Sequence, residues 1–336
     1  MSVVTERLQL RNQDAFQELV EPYRYQLQVH CYRMLGSYHE AEDLVQETFL
    51  RAWRAREQFE GRSSLRNWLY RIATNACLNA IASNTRSRRI LPEEYGPPRG
   101  PEDLPIGQRP TEIAWLEPYP DAALPSLADN APGPEARYEL LESVQLAFIA
   151  AIQHLPPRQR AVLLLRDVLG WSANEAAELL ESSVASVNSA LQRARASIDA
   201  GPPPVPPADD ATQRTLVDRF VTAWEASDIE GLVTLLREDA VLSMPPWEHW
   251  YRGRDTIGVF LHWGMRASRR FRLVATRANG QLAFGQYIWY AEHPDEAFQA
   301  HALITLALEA DSISTLTVFL DKRLVADFGL PPTLPV

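Results

Sequence analysis

The chain has 336 residues, enough for two or three domains, with 46% hydrophobic and 23% charged residues, a balance that excludes wholesale disorder and fibrous repeats. No apolar run reaches the roughly 20 residues a bilayer demands, and residues 1–10 have no signal-type apolar core, so the chain is expected to be soluble and cytoplasmic, with no membrane partner. Cys31 and Cys77, the only two cysteines, read as small buried core residues, and no Cys/His spacing predicts a metal or other cofactor.

The net charge of −10 is unevenly spread. Residues 1–90 are net +3, residues 91–137 net −6, residues 138–200 net −2 and residues 201–336 net −5. Residues 61–92 hold six arginines and no acid, the footprint of phosphate contact.

In chain order, residues 13–88 read as helices. From Glu40 to Arg54, Ala41, Leu44, Val45, Thr48, Phe49, Ala52 and Trp53 recur at helical spacing, and Glu42, Asp43, Gln46 and Glu47 take the opposite face. Asp43, Gln46 and Glu47 form an acidic-polar patch suited to a basic partner surface. A second helix starts at Ser63 or Ser64 and buries Leu69, Ile72, Ala73, Ala76 and Cys77. The mixture from Phe59 to Asn75 suits single-stranded DNA, with Phe59, Arg62, Arg66, Asn67, Arg71 and Asn75 as contacts. Trp68 reads as core or as a base contact.

Residues 91–137 carry eleven prolines, which predicts an extended acidic linker, with Trp115, Leu116 and Tyr119 embedded in it. Residues 138–200 return to helix: Leu140–Leu155, Arg158–Leu169, a short helix capped by Ser172 and ending at Leu180, a turn over 181–183, and Val184–Ser197. A short helix, a tight turn and a longer helix make a helix-turn-helix. With Val184, Val187, Leu191 and Ala194 inward, Ser182, Ser183, Ser186, Ser189, Gln192 and Arg193 remain for DNA. Residues 201–211 are a proline-rich connector. Beyond them come helices over Thr212–Ala226, Ile229–Leu236 and Arg254–Trp263, then strands over Phe271–Thr276, Leu282–Tyr290, Gln299–Glu309 and Ser312–Phe319, with a hairpin turn at Asn279-Gly280. The fold class is therefore multidomain, two all-α domains followed by an α+β domain.

The stretches Ala41–Trp53, Phe59–Asn75, Leu155–Asp167 and Ser182–Arg195, in this order, resemble a bacterial sigma factor of the extracytoplasmic-function group (group IV of the sigma-70 family). The resemblance implies a region 2 helical bundle over 1–90 and a region 4 helix-turn-helix over 138–200. It implies that Asp43, Gln46, Glu47 and Leu50 meet the largest-subunit clamp of core RNA polymerase, that the flap is a second polymerase contact, and that Phe59–Asn75 captures the melted −10 promoter element while the last helix reads the −35 element. Residues 212–330 resemble the SnoaL-like (nuclear-transport-factor-2-like) cone, through Phe220, Ala223, Trp224, Asp228–Leu232 and Ala240–Pro246. Relatives with such an extension carry a Trp-Leu-x-Pro signature in the linker, matched here by Trp115–Asp121.

Met244, Trp247, Tyr251, Trp263, Tyr287, Trp289, His301 and Phe319 could line the mouth of a conical pocket for a small-molecule ligand; plain core packing is the alternative. His249, His301 and Asp321 are the acid-base candidates, and no spacing among them compels catalysis. The expectation is a non-enzymatic transcription factor that binds polymerase and promoter DNA, with the C-terminal domain modulating activity in cis. A bifunctional enzyme and a free-standing repressor are the competing readings.

Overall fold

The computed structural model describes residues 12–59, 63–83, 88–104, 113–124, 143–198, 210–266 and 268–336. The chain divides into two units: Met1–Arg89, Leu116–Tyr119 and Ala123–Pro202 form the first, and Ile90–Trp115, Pro120–Ala122 and Pro203–Val336 the second. Among the described residues no helix is long and apolar enough to cross a membrane.

The first unit is helical. Helix α1 (Gln13–Val20) starts on Asn12, whose side chain accepts the Asp14 N–H at 3.0 Å. Helix α2 (Arg24–Leu35) is central, with every residue from Leu27 to Leu35 buried. It ends at Gly36, φ 70°, whose N–H reaches Tyr32 O at 2.7 Å, a left-handed cap that glycine takes without strain. Ser37 then caps α3 (Tyr38–Ala55), accepting the Glu40 N–H at 3.1 Å. Ala41, Val45, Thr48 and Ala52 bury the inner face of α3, as the period predicts. Helix α4 (Leu65–Ser83) packs Leu69, Ala73, Ala76 and Cys77 inward.

The second helical block comprises α5 (Leu146–Gln153), α6 (Pro157–Leu163) with a π turn over Leu164–Val168, α7 (Ala173–Leu179) and α8 (Val184–Ile198). The predicted helix from Leu140 begins only at Leu146, and residues 140–142 lie outside the described set. Ser172 and Glu175 make a full capping box at α7. Val184, expected inside, is 37% exposed: it is the first residue of α8, and the buried stripe begins one turn later at Val187.

A buried polar joint ties the two helical blocks together. Arg160 is 1% exposed and donates to Met34 O, to Gln153 Oε1 at 2.6 Å, to Gln153 O at 2.9 Å and to Leu155 O at 3.3 Å. Gln153 Nε2 donates to Arg33 O at 3.2 Å, and Arg33 donates through Nε to Ser143 O at 3.1 Å and through Nη2 to Ser143 Oγ. Desolvation lowers both guanidiniums to about 10, so each stays charged at neutral pH.

His30, wholly buried in α2, sits 2.9 Å from Thr74 Oγ1 and edge-on to Tyr70. Burial, then Arg33 and Arg66, push its pKa down to about 3. A depressed histidine contributes stability that is complete above its unfolded value near 6.5 and lost as pH falls towards 3, at up to about 1.4 kcal/mol per pH unit. Urea midpoints measured between pH 7 and 4 should fall more steeply for the natural chain than for His30→Gln. Parallel acid limbs would contradict this.

In the second unit, α9 (Asp210–Ala226), α10 (Ile229–Leu235) and α11 (Arg254–Gly264) pack on a mixed seven-stranded sheet. Its strands are β1 (Leu236–Ser243), β2 (Trp250–Arg252), β3 (Arg269–Ala278), β4 (Gln281–Tyr290), β5 (Phe298–Glu309), β6 (Ser312–Phe319) and β7 (Thr333–Leu334), with α12 (Lys322–Asp327) between β6 and β7. The order is β2-β1-β6-β5-β4-β3, β7 pairs with β5, and β1 runs parallel to β6 while the remaining pairs are antiparallel. Asn279 and Gly280, φ 56° and 74°, form the predicted β3–β4 turn. Helices α9–α11 and one sheet face enclose a core around Phe220, Trp224, Leu242, Ile257, Phe284 and Ile304.

The linker is structural in this unit. Ile90 bridges Trp115, Trp115 Nε1 donates to Pro246 O at 2.9 Å, Trp250 Nε1 donates to Gly96 O at 2.8 Å, Tyr251 donates to Asp103 O at 2.9 Å, and Leu104 packs on the core. The stretches 105–112 and 125–137 of the linker, and connector residues 201–209, lie outside the described residues.

Candidate nucleic-acid interface

Burial of its inner face leaves α3 with an outward stripe. Asp43 and Gln46 are exposed, Glu47 is half-buried and paired with Arg51 at 2.6 Å, and Leu50 is 56% exposed. All four residues of the predicted polymerase patch therefore share one accessible face.

On α4 the predicted DNA contacts divide. Ser64 Oγ accepts the Asn67 N–H at 3.2 Å and caps the helix. Arg66 lies over the Tyr70 ring at 5.0 Å, Arg71 is exposed, and Asn67 and Asn75 are half-buried. Phe59 is 4% exposed and packs on the half-buried Trp68 with ring centroids 5.0 Å apart, so it offers no open face to a base in this state. Arg62 lies outside the described residues.

On α8, Ser186, Ser189, Gln192 and Arg193 are exposed while Val187, Ala190, Leu191 and Ala194 face inward; in the turn before it Ser183 is exposed and Ser182 half-buried. Arg193 Nη1 donates to Ser189 Oγ at 2.6 Å, and Arg195 pairs with Asp167 at 2.7 Å, pinning α8 to the π turn. Hydroxyl, amide and guanidinium groups on one side of a helix can donate to and accept from base edges in a major groove.

The structure adds a feature that the sequence reading missed. Asn67 Nδ2 donates to Glu175 Oε1 at 3.5 Å, and Arg71 pairs with Glu181 at 3.4 Å. Trp171 meets Tyr70 edge-on at 5.7 Å. Two carboxylates of the helix-turn-helix thus engage two predicted DNA contacts on α4. Ser172, by hydrogen bonding, holds the Glu175 carboxyl below the usual glutamate range. No local signal in the sequence marks these partners, which lie 108 and 110 positions apart.

Residues 116–119 also close on the first unit. Glu117 accepts from Ser37 Oγ at 2.8 Å and from Arg89 Nη1 at 3.4 Å, and its N–H donates to Gly36 O at 3.0 Å. Tyr32 donates to Glu117 O at 2.8 Å, and fully buried Tyr119 packs between Tyr32 and Tyr38. A Cβ on Gly36 would meet Leu116 Cδ1 at 2.7 Å and displace that side chain, and at φ 70° any other residue would be strained as well.

The eight residues expected to line one pocket do not converge. Met244, Tyr251 and Trp263 belong to the main core, whereas Tyr287 and Trp289 cluster with Phe298 and Val325 on the other side of the sheet. Alternation along β4 separates them, since Phe284 and Ile288 point to the main core and Tyr287 and Trp289 away from it. Phe319 is buried, and Trp247 and His301 are half-buried. His301 is held neutral, pushed down to about 4 by burial and then by Arg269. Asp321 caps α12 through the Arg323 N–H and pairs with Arg323. His249 lies between β1 and β2, so the three acid-base candidates sit on separate elements. Among the described residues there is no cluster of three metal-ligating side chains.

Three family profiles match the chain: sigma-70 region 2 over residues 19–87, sigma-70 region 4 over residues 145–198, and a SnoaL-like domain over residues 217–315. The chain is similar to the ECF RNA polymerase sigma factor SigG of Mycobacterium tuberculosis, 44% identical over 95% of this chain and 85% of that protein. It is also similar to the ECF sigma factor SigW of Bacillus subtilis, 32% identical over 56% of this chain and 88% of that protein. In fold it resembles the crystal structure of the Mycobacterium tuberculosis extracytoplasmic function sigma factor SigJ, with a TM-score of 0.56 at 20% identity, over 94% of this chain and 99% of that one.

Proposed function

Because this chain belongs to the extracytoplasmic-function sigma factors of RNA polymerase, we propose that it binds core polymerase through Asp43, Gln46, Glu47 and Leu50 and directs initiation at its own promoters. The largest-subunit clamp meets α3, and the flap meets the 138–200 helical domain. Arg62, Arg66, Asn67, Arg71 and Asn75, with Phe59 once uncovered, take the melted −10 strand. Ser182, Ser183, Ser186, Ser189, Gln192 and Arg193 take the −35 duplex. The observation that carries this reading is α8, where Ser186, Ser189, Gln192 and Arg193, with Ser183 just before the helix, stand exposed while Val187, Ala190, Leu191 and Ala194 are buried.

The form described here is a resting one. While Glu175 and Glu181 hold Asn67 and Arg71, the α4 face meets carboxylates in place of phosphates. Polymerase must separate the helical blocks before both promoter elements are read. Its grip then gives each block a high local concentration of DNA, which offsets the weak affinity of a net-negative helix-turn-helix.

The C-terminal domain, residues 212–330, modulates this step in cis. Support comes from the linker, because the chain leaves the second unit at Trp115, bonded to Pro246, and enters the first at Leu116, beside Gly36. A ligand of the domain would change activity only by binding one arrangement better than the other.

The resting contact is tested by Glu175→Gln with Glu181→Gln. Glutamine keeps the capping box, and exposed pairs are worth about 0–1 kcal/mol each. The double variant should cross-link to promoter DNA about two- to fivefold more than the natural chain without polymerase. Equal or lower cross-linking would contradict the resting contact.

A further inference from the structure

Helix α8 carries two carboxamides, Asn188 and Gln192, and only Gln192 is among the promoter contacts expected from the spacing. Several polar groups at this helix are engaged within the chain. Ser183, just before it, accepts the Ser186 N–H at 3.1 Å. Arg193 Nη1 donates to Ser189 Oγ at 2.6 Å, Arg195 pairs with Asp167 at 2.7 Å, and Ser197 Oγ donates to Arg193 O at 3.0 Å. Asn188 and Gln192 are exposed, and among the described residues their side chains make no hydrogen bond.

Asparagine is a weak helix former because its amide competes for nearby backbone groups, and its usual places are caps and turns. Asn188 is the fifth residue of α8 and makes no such local bond, so it costs the helix stability without serving the fold. Asn188 and Gln192 are four residues apart, which sets the two amides one turn, about 6 Å, apart on one face. Ala185 and Ser189 form the neighbouring row, and Val187, Ala190, Leu191 and Ala194 take the buried side. Val184 and Ala185, both exposed, lie one turn before Asn188 and Ser189. The helix contains two arginines and no acid, which suits an approach to phosphates. Asp167 and Glu181, which flank it, are paired with Arg195 and Arg71.

A carboxamide presents one acceptor and one donor side by side. In the major groove adenine presents the matching pair, the N7 acceptor and the N6–H donor, whereas guanine presents two acceptors. The same A·T pair carries the thymine methyl, which takes apolar contacts of the kind Val184 and Ala185 offer. In a helix-turn-helix the first turns of the second helix meet the base edges. A separation of about 6 Å spans about two base steps of about 3.4 Å each. We propose that Asn188 is a further specificity-determining residue, which reads an adenine of the upstream promoter duplex through N6–H and N7, with Gln192 on a second A·T pair within two base steps. This rests on the promoter-directed reading above and deepens it by naming the base that is read.

The test is transcription by the full chain with core polymerase from a promoter library whose upstream duplex is randomised and barcoded in the transcribed region. The natural chain should select A·T pairs at two positions within two base steps of each other. Asn188→Ala should abolish the preference at one of them, a loss of about 5- to 150-fold in discrimination, and leave the other positions as they were. Alanine is the best helix former, so α8 itself is not at stake in this variant. Replacing the affected adenine by 7-deazaadenine, which lacks the N7 acceptor, should lower initiation by the natural chain about two- to tenfold and leave Asn188→Ala unaffected. Loss of preference at a G·C pair overturns the assignment, as does an equal effect of 7-deazaadenine on both chains. A uniform loss at every position also overturns it, because Asn188 would then be a phosphate contact. If the natural chain selects an upstream sequence and Asn188→Ala selects the same one, only this inference falls. If the natural chain initiates with no upstream preference, the promoter-directed reading falls with it.

Discussion

Replacing Leu50 with aspartate is expected to weaken binding to core RNA polymerase by about 2–4 kcal/mol, roughly 30- to 700-fold in Kd. Leu50 is 56% exposed at the open end of the Asp43–Gln46–Glu47 stripe, so it costs the isolated chain little to lose it. An apolar anchor ringed by polar groups concentrates binding energy when a partner desolvates it. Aspartate removes the anchor and buries an unpaired charge in its place. The thermal midpoint of the free chain should stay within a degree or two, because exposed substitutions move stability by about 0.5 kcal/mol or less. A Leu50→Asp chain that keeps its polymerase affinity would place the docking face elsewhere on the bundle.

The second large effect concerns stability. Arg160 is almost wholly buried and serves four acceptors, on Met34, Gln153 and Leu155, so Arg160→Ala strands buried carbonyls and opens a cavity. Each stranded acceptor costs about 1–3 kcal/mol, partly recovered by entering water. The total for the first unit should come to about 3–5 kcal/mol by urea unfolding. Arg160→Lys should recover little, because an ammonium cannot span acceptors that a planar fork reaches together. A loss below about 1 kcal/mol for both variants would mean that the joint is not what ties the helical blocks.

What the sequence disclosed and what it hid follow one physical rule. Helices α3 and α8 were legible because each buries one face, and burial of one face writes itself into the spacing of Val45, Thr48 and Ala52 or of Val187, Leu191 and Ala194. The β3–β4 hairpin was legible from Asn279-Gly280, a purely local signal. Strand β1 was not, because the helical reading from Ile229 ran on to Leu236 and nothing local marks where it stops. Leu236 leaves helix there to pair with Ile313 of β6, 77 residues further on. The eight-residue pocket failed for a different reason. Aromatic content was counted without the alternation that sends Tyr287 and Trp289 to the face opposite Phe284. At the candidate interface the exposure of Ser186, Ser189, Gln192 and Arg193 followed from the buried spacing of α8, whereas the burial of Phe59 did not show in the sequence. The resting partners Glu175 and Glu181, and the buried pairings of Glu117 and Arg160, depend on long-range contacts that leave no periodic trace.

The most direct measurement is run-off transcription by core polymerase on a library of promoter fragments, with and without the full chain. We expect RNA with defined starts only when the chain is present. Those starts should vanish with Leu50→Asp, and substituting Gln192 or Arg193 should shift which upstream sequences are chosen. Equal transcript sets with and without the chain, or a Leu50→Asp chain that initiates normally, would contradict the account.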